Sequence, residues 1–366
     1  MIYIYILLLI LILYCLNKQK IVSRRVMIAI SSLALILVAG LRNPSMGMRD
    51  TITGYLPAWH IACKESMKTI LTTYVGKGNS GLKDIGFAVY AKLLSYISTN
   101  DQFFLIMTVV PYIIAVSCLI YKKSKDVFLS YYLFIGLNLY TCSFYLIRHV
   151  LAATCLTLSI KYIYEKKLLK FILMVLLATT FHTSALIFLV AYPVSQLDYS
   201  RLKVSKKVLG RYWYLFWVIC SLTVAILGKS VVMKMVAAIF KGSRFESAGG
   251  GEGGLGRFAL ALFILVFSTW KLRKKNDISS NRTEIMMSIA TCILYAFMPI
   301  MSDFHRCAKF FEVMNIILLP NAIQKTPKAI QRLIEKAGFI TVIGIYMFTR
   351  LLPGVNALPY LFYWQS

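Results

Sequence analysis

Nine charged or titratable side chains lie near the ends of apolar segments, where they could take part in chemistry. They are Arg42, Asp50, Arg148, His182, Arg244, Arg257, Asp303, His305 and Arg306. Ionisable groups beside apolar helices are costly to keep there and are therefore candidates for function. Arginine binds phosphate oxygens in pairs and stays charged, whereas Asp and His accept protons. These residue types are suited to an anionic ligand with a proton-accepting group beside it.

The elements that must position these side chains are strongly apolar. The chain is 59% hydrophobic with a mean hydropathy of +0.70, too apolar for a soluble domain of 366 residues. Its net charge of +27 could indicate nucleic acid, but most of its 41 Lys and Arg fall in six short segments. These are 18–25, 122–125, 161–170, 201–211, 271–282 and 325–336. Because Lys and Arg concentrate in cytoplasmic loops, we expect a membrane protein that binds no nucleic acid and carries its chemical residues at the outer face.

Twelve apolar segments predict an all-α polytopic membrane protein with about 12 transmembrane segments. They are 1–16, 26–41, 102–121, 127–143, 146–163, 168–180, 182–197, 212–228, 257–271, 284–301, 306–322 and 338–352. Several are shorter than the about 20 residues that a full span needs. Some spans should therefore be short or broken, as in a bundle that surrounds a cavity. We expect one integral membrane domain over residues 1–366.

One break in these segments follows from the charges on its flanks. Residues 168–197 are nearly continuous and apolar, yet both flanks are basic. If both flanks are cytoplasmic, the chain crosses the membrane an even number of times, and the run must divide into two limbs. The polar patch 179–184 is the plausible break, which places His182 at the tip of a short hairpin facing an outer cavity. Non-helical backbone at that depth must be covered by protein or water.

Two of the predicted outer loops are long. Residues 42–101 include an amphipathic stretch at 87–97, which we expect to lie along the membrane surface. Residues 229–256 are rich in glycine, which predicts a flexible lid or linker.

The N-terminal segment and the cysteines exclude two other interpretations. No positive residue precedes the first apolar segment and a basic stretch follows it, unlike a cleavable signal. We therefore expect the N-terminus to lie outside. Eight cysteines are scattered without a CxxC pair, which argues against a zinc site or a disulfide framework. Since no close pair of outer acidic residues offers a carboxylate ligand set, we expect neither a metal nor a cofactor.

Four short motifs follow one another along the chain. They are residues 41–51 with Arg42, Asp50 and the following Tyr55, then Arg148-His149-Val150-Leu151-Ala152, then Phe181-His182-Thr183-Ser184-Ala185, and finally Arg306 before Phe310-Phe311. In order and topology they resemble the EpsG-like branch of the Wzy polysaccharide polymerases, over about residues 30–320. Members of that branch show an Arg, a Gly-x-Asp-Thr and a Tyr in the first outer loop. A span opening with Arg-Gln-x-x-Ala, a Phe-His-x-Ser-Ala turn and a late span opening with Arg follow.

The resemblance implies a GT-C-like helical bundle with an outer-face cavity and a glycosyltransferase activity. Such a polymerase transfers a growing glycan, most typically O-antigen, from undecaprenyl diphosphate to a lipid-linked repeat unit. The reaction takes place at the outer face of the bacterial inner membrane, so the active site would face the periplasm. The implied partners are the undecaprenyl-diphosphate-linked oligosaccharide, the lipid bilayer, a chain-length regulator and a flippase.

The resemblance also assigns roles to the chemical residues. Those expected to bind substrate or its diphosphate are Arg42, Arg148, Arg257, Arg306, Tyr55, Asp303 and His305. The arginines would stabilise the charge of the leaving diphosphate. By residue type the proton acceptor could be Asp50, His182, Asp303 or His305, and we favour His182 or Asp50 as the catalytic base.

Simpler roles compete with these assignments. An arginine at the end of a span can be a headgroup anchor, and Asp303 can merely neutralise Arg306. Lys309 and Glu312 are three residues apart on one helix and should pair. Arg244 in the Gly-rich loop can be a solvated charge.

Three other activities also fit part of the pattern. An O-antigen ligase or another lipid-linked glycosyltransferase would use outer Arg and His residues in the same way. A flippase or transporter of lipid-linked sugar would show inverted repeats and charges at the midplane, and the chain has no pair of matching halves. A membrane acyltransferase would place a reactive His beside an Arg in the first spans, and the first histidine here is His60.

Overall fold

The structure is a computed structural model that describes residues 1–75, 84–196, 213–227 and 254–365. Every regular element in these ranges is helical, and their one β-type contact is an isolated bridge between Arg42 and Phe362. The predicted all-α class is therefore confirmed. The basic segment 201–211, Arg244 and almost all of the Gly-rich loop 229–256 lie outside the described residues.

Sixteen α-helices of six residues or more occur in the described ranges. They are α1 (Ile2–Lys18), α2 (Arg24–Gly40), α3 (Leu56–Lys64), α4 (Ile85–Ser95), α5 (Asp101–Lys123), α6 (Val127–Gly136), α7 (Ile147–Tyr164), α8 (Leu168–Phe181), α9 (Ala191–Gln196), α10 (Trp213–Leu227), α11 (Gly254–Lys271), α12 (Lys275–Ser280), α13 (Arg282–Ala296), α14 (Phe304–Glu312), α15 (Asn315–Ile323) and α16 (Ala329–Tyr346). Shorter or tighter pieces are π-helical (Thr51–Tyr55, Ile70–Tyr74, Met347–Leu351), 3₁₀-helical (Thr141–Phe144, Thr183–Val190) or single α turns (Met67–Thr69, Leu352–Gly354).

These elements form two compact units. Unit 1 contains residues 1–186 and 327–366, and unit 2 contains residues 187–326. The prediction of one integral membrane domain did not include this division. The boundary falls inside the 3₁₀ helix that follows His182.

Two described helical stretches are long and apolar enough to cross a bilayer. They are α5, with 23 residues and a hydropathy of 2.5, and Ala329–Gly354, with 26 residues and a hydropathy of 1.4. Asn100 caps α5 by accepting hydrogen bonds from the backbone N–H groups of Gln102 and Phe103. The other apolar helices are shorter, among them α1, α4, α6 and α8. The number of about 12 spans therefore stays a prediction.

Two predicted segments are not continuous α-helices. Segment 127–143 leaves the α-helix at Gly136, and Asn138 then takes a positive φ of 57° before a 3₁₀ turn. Segment 306–322 divides between α14 and α15 at residues 313–314. Hydropathy does not register such local turns, because the side chains on both sides of them remain apolar.

Large apolar side chains cover much of the outside of these helices. Leu169 on α8 is 71% exposed and Ile330 on α16 is 76% exposed, and α1 exposes Tyr5, Leu8 and Ile12. Soluble monomers rarely expose apolar surface on this scale. Helices that contact lipid do so, because lipid tails are as apolar as the side chains.

The predicted break before the second half of segment 168–197 is present. Helix α8 ends at Phe181, and His182 has extended backbone angles of −158° and 117°. The N–H of His182 still donates to the carbonyl of Ala178, and its own carbonyl accepts from Ala185 at the start of the 3₁₀ helix. The break is therefore confirmed at the residue predicted to lie at its tip, whereas the hairpin and its outer orientation stay predictions.

Helix α4 lies where the amphipathic stretch 87–97 is predicted and packs one face against its neighbours, whereas its position along the membrane surface stays a prediction. Phe87, Ala88 and Ala91 are fully buried in an apolar cluster that includes Trp59 of α3 and Phe104 of α5. Trp59 and Phe104 stack with ring centroids 4.7 Å apart. The described residues 55–70 and 87–94 of this region therefore pack within unit 1 against α5 and the start of α7.

Unit 2 is built around α13, which packs on α10, α11 and α14. Inside it, Lys309 and Glu312 form an ion pair at 3.6 Å, with both side chains nearly fully buried. The hydroxyl of Tyr295 donates to the same Glu312 carboxylate at 2.6 Å. The predicted pairing of Lys309 with Glu312 is confirmed.

Candidate functional site

The loop that opens the first motif is anchored on Phe144, just before α7. Gly47 has a φ of +80°, and a Cβ there would lie 2.5 Å from the Cβ of Phe144, so only glycine fits. The hydroxyl of Thr51 donates to the carbonyl of Phe144 at 2.7 Å. These contacts fix the loop beside the start of α7, which carries Arg148.

Arg42 is part of this anchor. Its side chain is fully buried, Nη1 donates to the carbonyl of Ala39, and Nη2 donates to the carbonyl of Phe144 at 3.2 Å. The guanidinium also lies 5.0 Å from the centre of the Phe144 ring. The backbone N–H of Asn43 donates to the carbonyl of Leu361, and the N–H of Tyr363 donates to the carbonyl of Leu41. These hydrogen bonds hold the C-terminal segment along the loop. The described contacts of Arg42 are therefore structural, and its expected role in binding a diphosphate stays a prediction.

Arg148 lies in the first turn of α7 and is paired with Asp84. Nη1 of Arg148 is 2.8 Å from Oδ2 of Asp84, and the two side chains are only 18% and 10% exposed. The guanidinium also lies 5.7 Å from the centre of the Tyr55 ring. Its Nε is buried and has no hydrogen-bond partner among the described residues.

Tyr55 and Asp50 stand at the two ends of one π-helical turn beside this pair. Tyr55 is buried, and burial raises the pKa of its hydroxyl above the ordinary value while Arg148 opposes the rise. The charge of Asp50 acts in the same direction as burial. Tyr55 is therefore a protonated hydrogen-bond donor at neutral pH, and Asp50 is an exposed carboxylate within electrostatic reach of it.

His182 lies beside a second histidine. Its ring centroid is 5.7 Å from that of His149, with the ring planes at 77°. His149 follows Arg148 in the first turn of α7 and is buried, whereas His182 is partly exposed. Helices α7 and α8 pack along each other. Their packing therefore brings the second and third sequence motifs together.

Helix α4 closes the group from another side. A Cβ on Gly86 would lie 2.3 Å from Oγ1 and 2.9 Å from the backbone carbon of Thr180, near the end of α8. Tyr90 meets Phe181 edge to face with ring centroids 6.3 Å apart. One short helix therefore carries Asp84 at its start and packs directly against the residues before His182.

Unit 2 holds a separate group at the start of α14. Nη1 of Arg306 is 3.2 Å from Oδ1 of Asp303, and these side chains are 26% and 25% exposed. The expected neutralisation of Arg306 by Asp303 is confirmed as a contact. Nε of Arg306 is buried and has no hydrogen-bond partner among the described residues.

His305 belongs to the same group and is held as a neutral ring. It precedes the predicted span 306–322, and burial together with the charge of Arg257 lowers its pKa to about 3. Nδ1 lies 2.6 Å from the carbonyl of Ser302 and must donate to it. The neutral ring then keeps a lone pair on Nε2 as an acceptor.

The predicted residues thus fall into two groups, with Arg42 apart from both. Unit 1 gathers Asp50, Tyr55, Arg148 and His182, and unit 2 gathers Arg257, Asp303, His305 and Arg306.

Asp84 and His149 are the members that the sequence did not assign. An Asp directly before an amphipathic stretch is a helix-cap signal that could have drawn attention to Asp84. Nothing in the sequence indicated that its partner is Arg148.

The helical fold and its exposed apolar surface indicate a membrane protein, and Arg148, Arg257 and Arg306 lie in the first turns of helices. The family model of the EpsG family matches residues 25–362, and the chain belongs to that family. No curated protein and no solved structure matches the chain. Family membership indicates a membrane enzyme related to polysaccharide biosynthesis. The match extends beyond the residues 30–320 on which the resemblance was based.

Proposed function

We propose that this protein is a Wzy-type polysaccharide polymerase, acting on O-antigen or a comparable surface polysaccharide. It would transfer a growing glycan from undecaprenyl diphosphate to a lipid-linked repeat unit. The observation that carries the proposal is the group in unit 1, where one arginine, one protonated tyrosine and two histidines converge. Membership of the EpsG family supports the same activity.

The step forms one bond and breaks one. The oxygen of the acceptor hydroxyl attacks the anomeric carbon of the glycan, and the bond from that carbon to the phosphate oxygen breaks. The diphosphate leaves with the bond's electron pair and stays on its lipid. The proton of the acceptor hydroxyl passes to a base on the protein.

The base is His182 or Asp50. A neutral imidazole at the end of α8 is partly exposed and can accept the proton, and its neighbour His149 limits how its ring can turn. Asp50 is exposed and sits one turn from Tyr55. His305 keeps an acceptor nitrogen in unit 2 and is a third option by geometry.

The leaving group requires positive charge and hydrogen-bond donors. Arg148 and Arg306 each bind an aspartate through one terminal nitrogen. The Nε atom of each is buried and makes no hydrogen bond among the described residues. Arg257 adds a second positive charge beside His305. In either unit, a diphosphate with several negative oxygens could accept hydrogen bonds from these N–H groups, and this would stabilise the charge that develops as the bond breaks. In unit 1, Tyr55 would donate a further hydrogen bond.

The proposed setting is the outer face of the bacterial inner membrane, with a flippase supplying the substrate and a chain-length regulator acting on the product. The alternative functions are an O-antigen ligase, another lipid-linked glycosyltransferase, and a flippase of lipid-linked oligosaccharide.

The glycan profile of a strain that lacks this protein tests the proposal and separates the alternatives. Loss of a polymerase leaves surface lipid capped by single repeat units. Loss of a ligase leaves no repeat units on the surface lipid, and loss of a flippase keeps the lipid-linked unit at the inner face. Complementation with the wild-type chain must restore long glycan, and an unchanged profile in the deletion strain would refute all three.

A further inference from the structure

Asp84 stands at the start of α4 but does not cap it. An aspartate before the first turn of a helix normally accepts hydrogen bonds from the N–H groups of that turn. The Asp84 side chain makes no such bond, and its Oδ2 is 2.8 Å from Nη1 of Arg148 instead. The two residues are 64 positions apart, so the contact exists only because α4 docks beside α7.

The pairing occupies one corner of the guanidinium. Asp84 takes Nη1, and Nε has no partner among the described residues. Guanidinium binds phosphate best through two adjacent N–H groups in parallel, and the edge formed by Nε and Nη2 is such a pair. A carboxylate bound at Nη1 leaves Nε and Nη2 for a diphosphate. Tyr55 is a second hydrogen-bond partner of the guanidinium, and the Arg148 side chain is 18% exposed, so a ligand must reach it from that exposed side.

Helix α4 gives Asp84 a fixed place from which to hold Arg148. Gly86 lies against Thr180 so closely that no Cβ fits between them. Tyr90 packs on Phe181, and its hydroxyl donates to the carbonyl of Met107 at 2.6 Å. Lys92 of the same helix donates to the carbonyl of Ala62 at 3.0 Å. These contacts tie α4 to α3, α5 and α8 within unit 1.

We propose that Asp84 is a positioning residue, which holds Arg148 by one nitrogen so that the Nε–Nη2 edge faces the diphosphate of the lipid-linked substrate. This inference rests on the proposed function. It is distinct from simple charge compensation, which makes the opposite prediction. If Asp84 only screened Arg148, its removal would strengthen the binding of an anion.

The test measures binding of undecaprenyl diphosphate to the full-length protein in detergent, together with polymerisation in proteoliposomes. The variants are Asp84→Asn, Asp84→Glu, Arg148→Ala and the double variant Asp84→Asn/Arg148→Ala. Asp101→Asn is the matched control, because it removes a carboxylate from the exposed His60–Asp101 pair, which has no part in the site. Melting temperatures in detergent confirm that all variants are folded.

We expect Asp84→Asn to weaken binding by about tenfold, as expected when a binding group is misplaced. Asp84→Glu should recover part of the loss, and Asp101→Asn should equal the wild type. In the Arg148→Ala background, Asp84→Asn should have no further effect, since the residue it positions is gone. The double-mutant cycle of Asp84 and Arg148 can be completed by the binding assay even where turnover is lost.

Each other outcome overturns one identifiable claim. Tighter or unchanged binding in Asp84→Asn, with binding lost in Arg148→Ala, overturns positioning and leaves the proposed function intact. An equal further loss in the Arg148→Ala background also overturns positioning, because it shows an effect independent of Arg148. Wild-type binding and polymerisation in Arg148→Ala would instead overturn the proposed function of this site.

Discussion

Both units contain an arginine and an aspartate at the start of a helix, but the two pairs are built differently. Asp303 is three residues from Arg306 on the same chain segment, whereas Asp84 is brought to Arg148 by a separate helix. The local pair is more exposed than the distant one. A local pair forms with little help from the rest of the fold, whereas a distant pair holds its geometry only while the helices that carry it stay packed.

Their neighbours differ as well. Around Arg148 lie Tyr55, His149 and His182, so acceptors and donors of protons outnumber positive charges. Around Arg306 lie Arg257 and a histidine that stays neutral, so positive charge dominates. Unit 1 is therefore better suited to accept a proton, and unit 2 is better suited to bind an anion.

The largest effect should come from His182, the residue that most distinguishes unit 1. His182→Ala and His182→Gln should both lower turnover by at least about 100-fold, because neither side chain accepts a proton. Wild-type activity should fall with decreasing pH, because protonated imidazole is not a base. Polymerisation rates between pH 5 and 8 measure this.

His60→Gln is the control for that series, because His60 is exposed and pairs only with Asp101 in the described structure. Full activity in His182→Gln would show a positioning role and move the base to Asp50.

The two arginines should come next. Arg148→Ala and Arg306→Ala should each lower turnover by about 100-fold, as expected for removal of a charge-stabilising donor. Arg→Lys should restore activity only in part, because lysine keeps the charge but loses the paired geometry. If Arg306→Ala raises the KM for the lipid-linked donor and Arg148→Ala does not, the result supports anion binding in unit 2 and proton transfer in unit 1. Normal glycan ladders from both Ala variants at matched protein levels would show that the two arginines act only as headgroup anchors.

Arg42 provides a contrast to both pairs, because it is buried and bonded to carbonyl groups. Arg42→Ala should lower the free energy of unfolding by about 1–3 kcal/mol, since it leaves those buried carbonyls without a donor. The molecules that remain folded should keep near-normal turnover. Melting temperature and specific activity separate the two effects, with the exposed Arg350→Ala as control. If the Arg42→Ala protein is stable but inactive, Arg42 binds the substrate rather than only stabilising the fold.

Gly86 tests whether the distant pair depends on helix packing. Gly86→Ala should push α4 away from Thr180, disturb Asp84 and His182 together, and lower activity by about tenfold. Gly338→Ala is the matched control, because a Cβ there meets no atom within 4 Å. Equal activities for the two variants would show that α4 can shift without consequence. The local Arg306–Asp303 pair should not respond to either change.

The smallest effect concerns His305. Its pKa is about 3 in the folded chain and about 6.5 when unfolded, so the unfolded state binds more protons between these values. The stability that it contributes is present above pH 6.5 and is lost as the pH falls. Since the ring is partly exposed, we expect about 1 kcal/mol between pH 7 and pH 5. Melting curves of His305→Gln should depend less on pH than those of the wild type, and equal slopes would contradict the lowered pKa.

The sequence predicted the local features of both sites. The contacts within one helix, Arg306 with Asp303 and Lys309 with Glu312, follow from a spacing of three residues. The break at His182 followed from the basic flanks of an apolar run. The helix near residues 87–97 followed from its amphipathic pattern. The burial of Arg42 could not be predicted in this way, because it depends on how the C-terminal segment covers the loop.

The amino-acid sequence by itself determined the helical class, the membrane character and the family, because composition, periodicity and short motifs are properties of the chain alone. It also determined which residue types could bind phosphate or accept a proton. Only the tertiary structure decided that Asp84 holds Arg148, that His149 lies against His182 and that Arg42 is sealed inside. These contacts join residues 33 to more than 100 positions apart, and their existence depends on how helices pack, which no local pattern encodes.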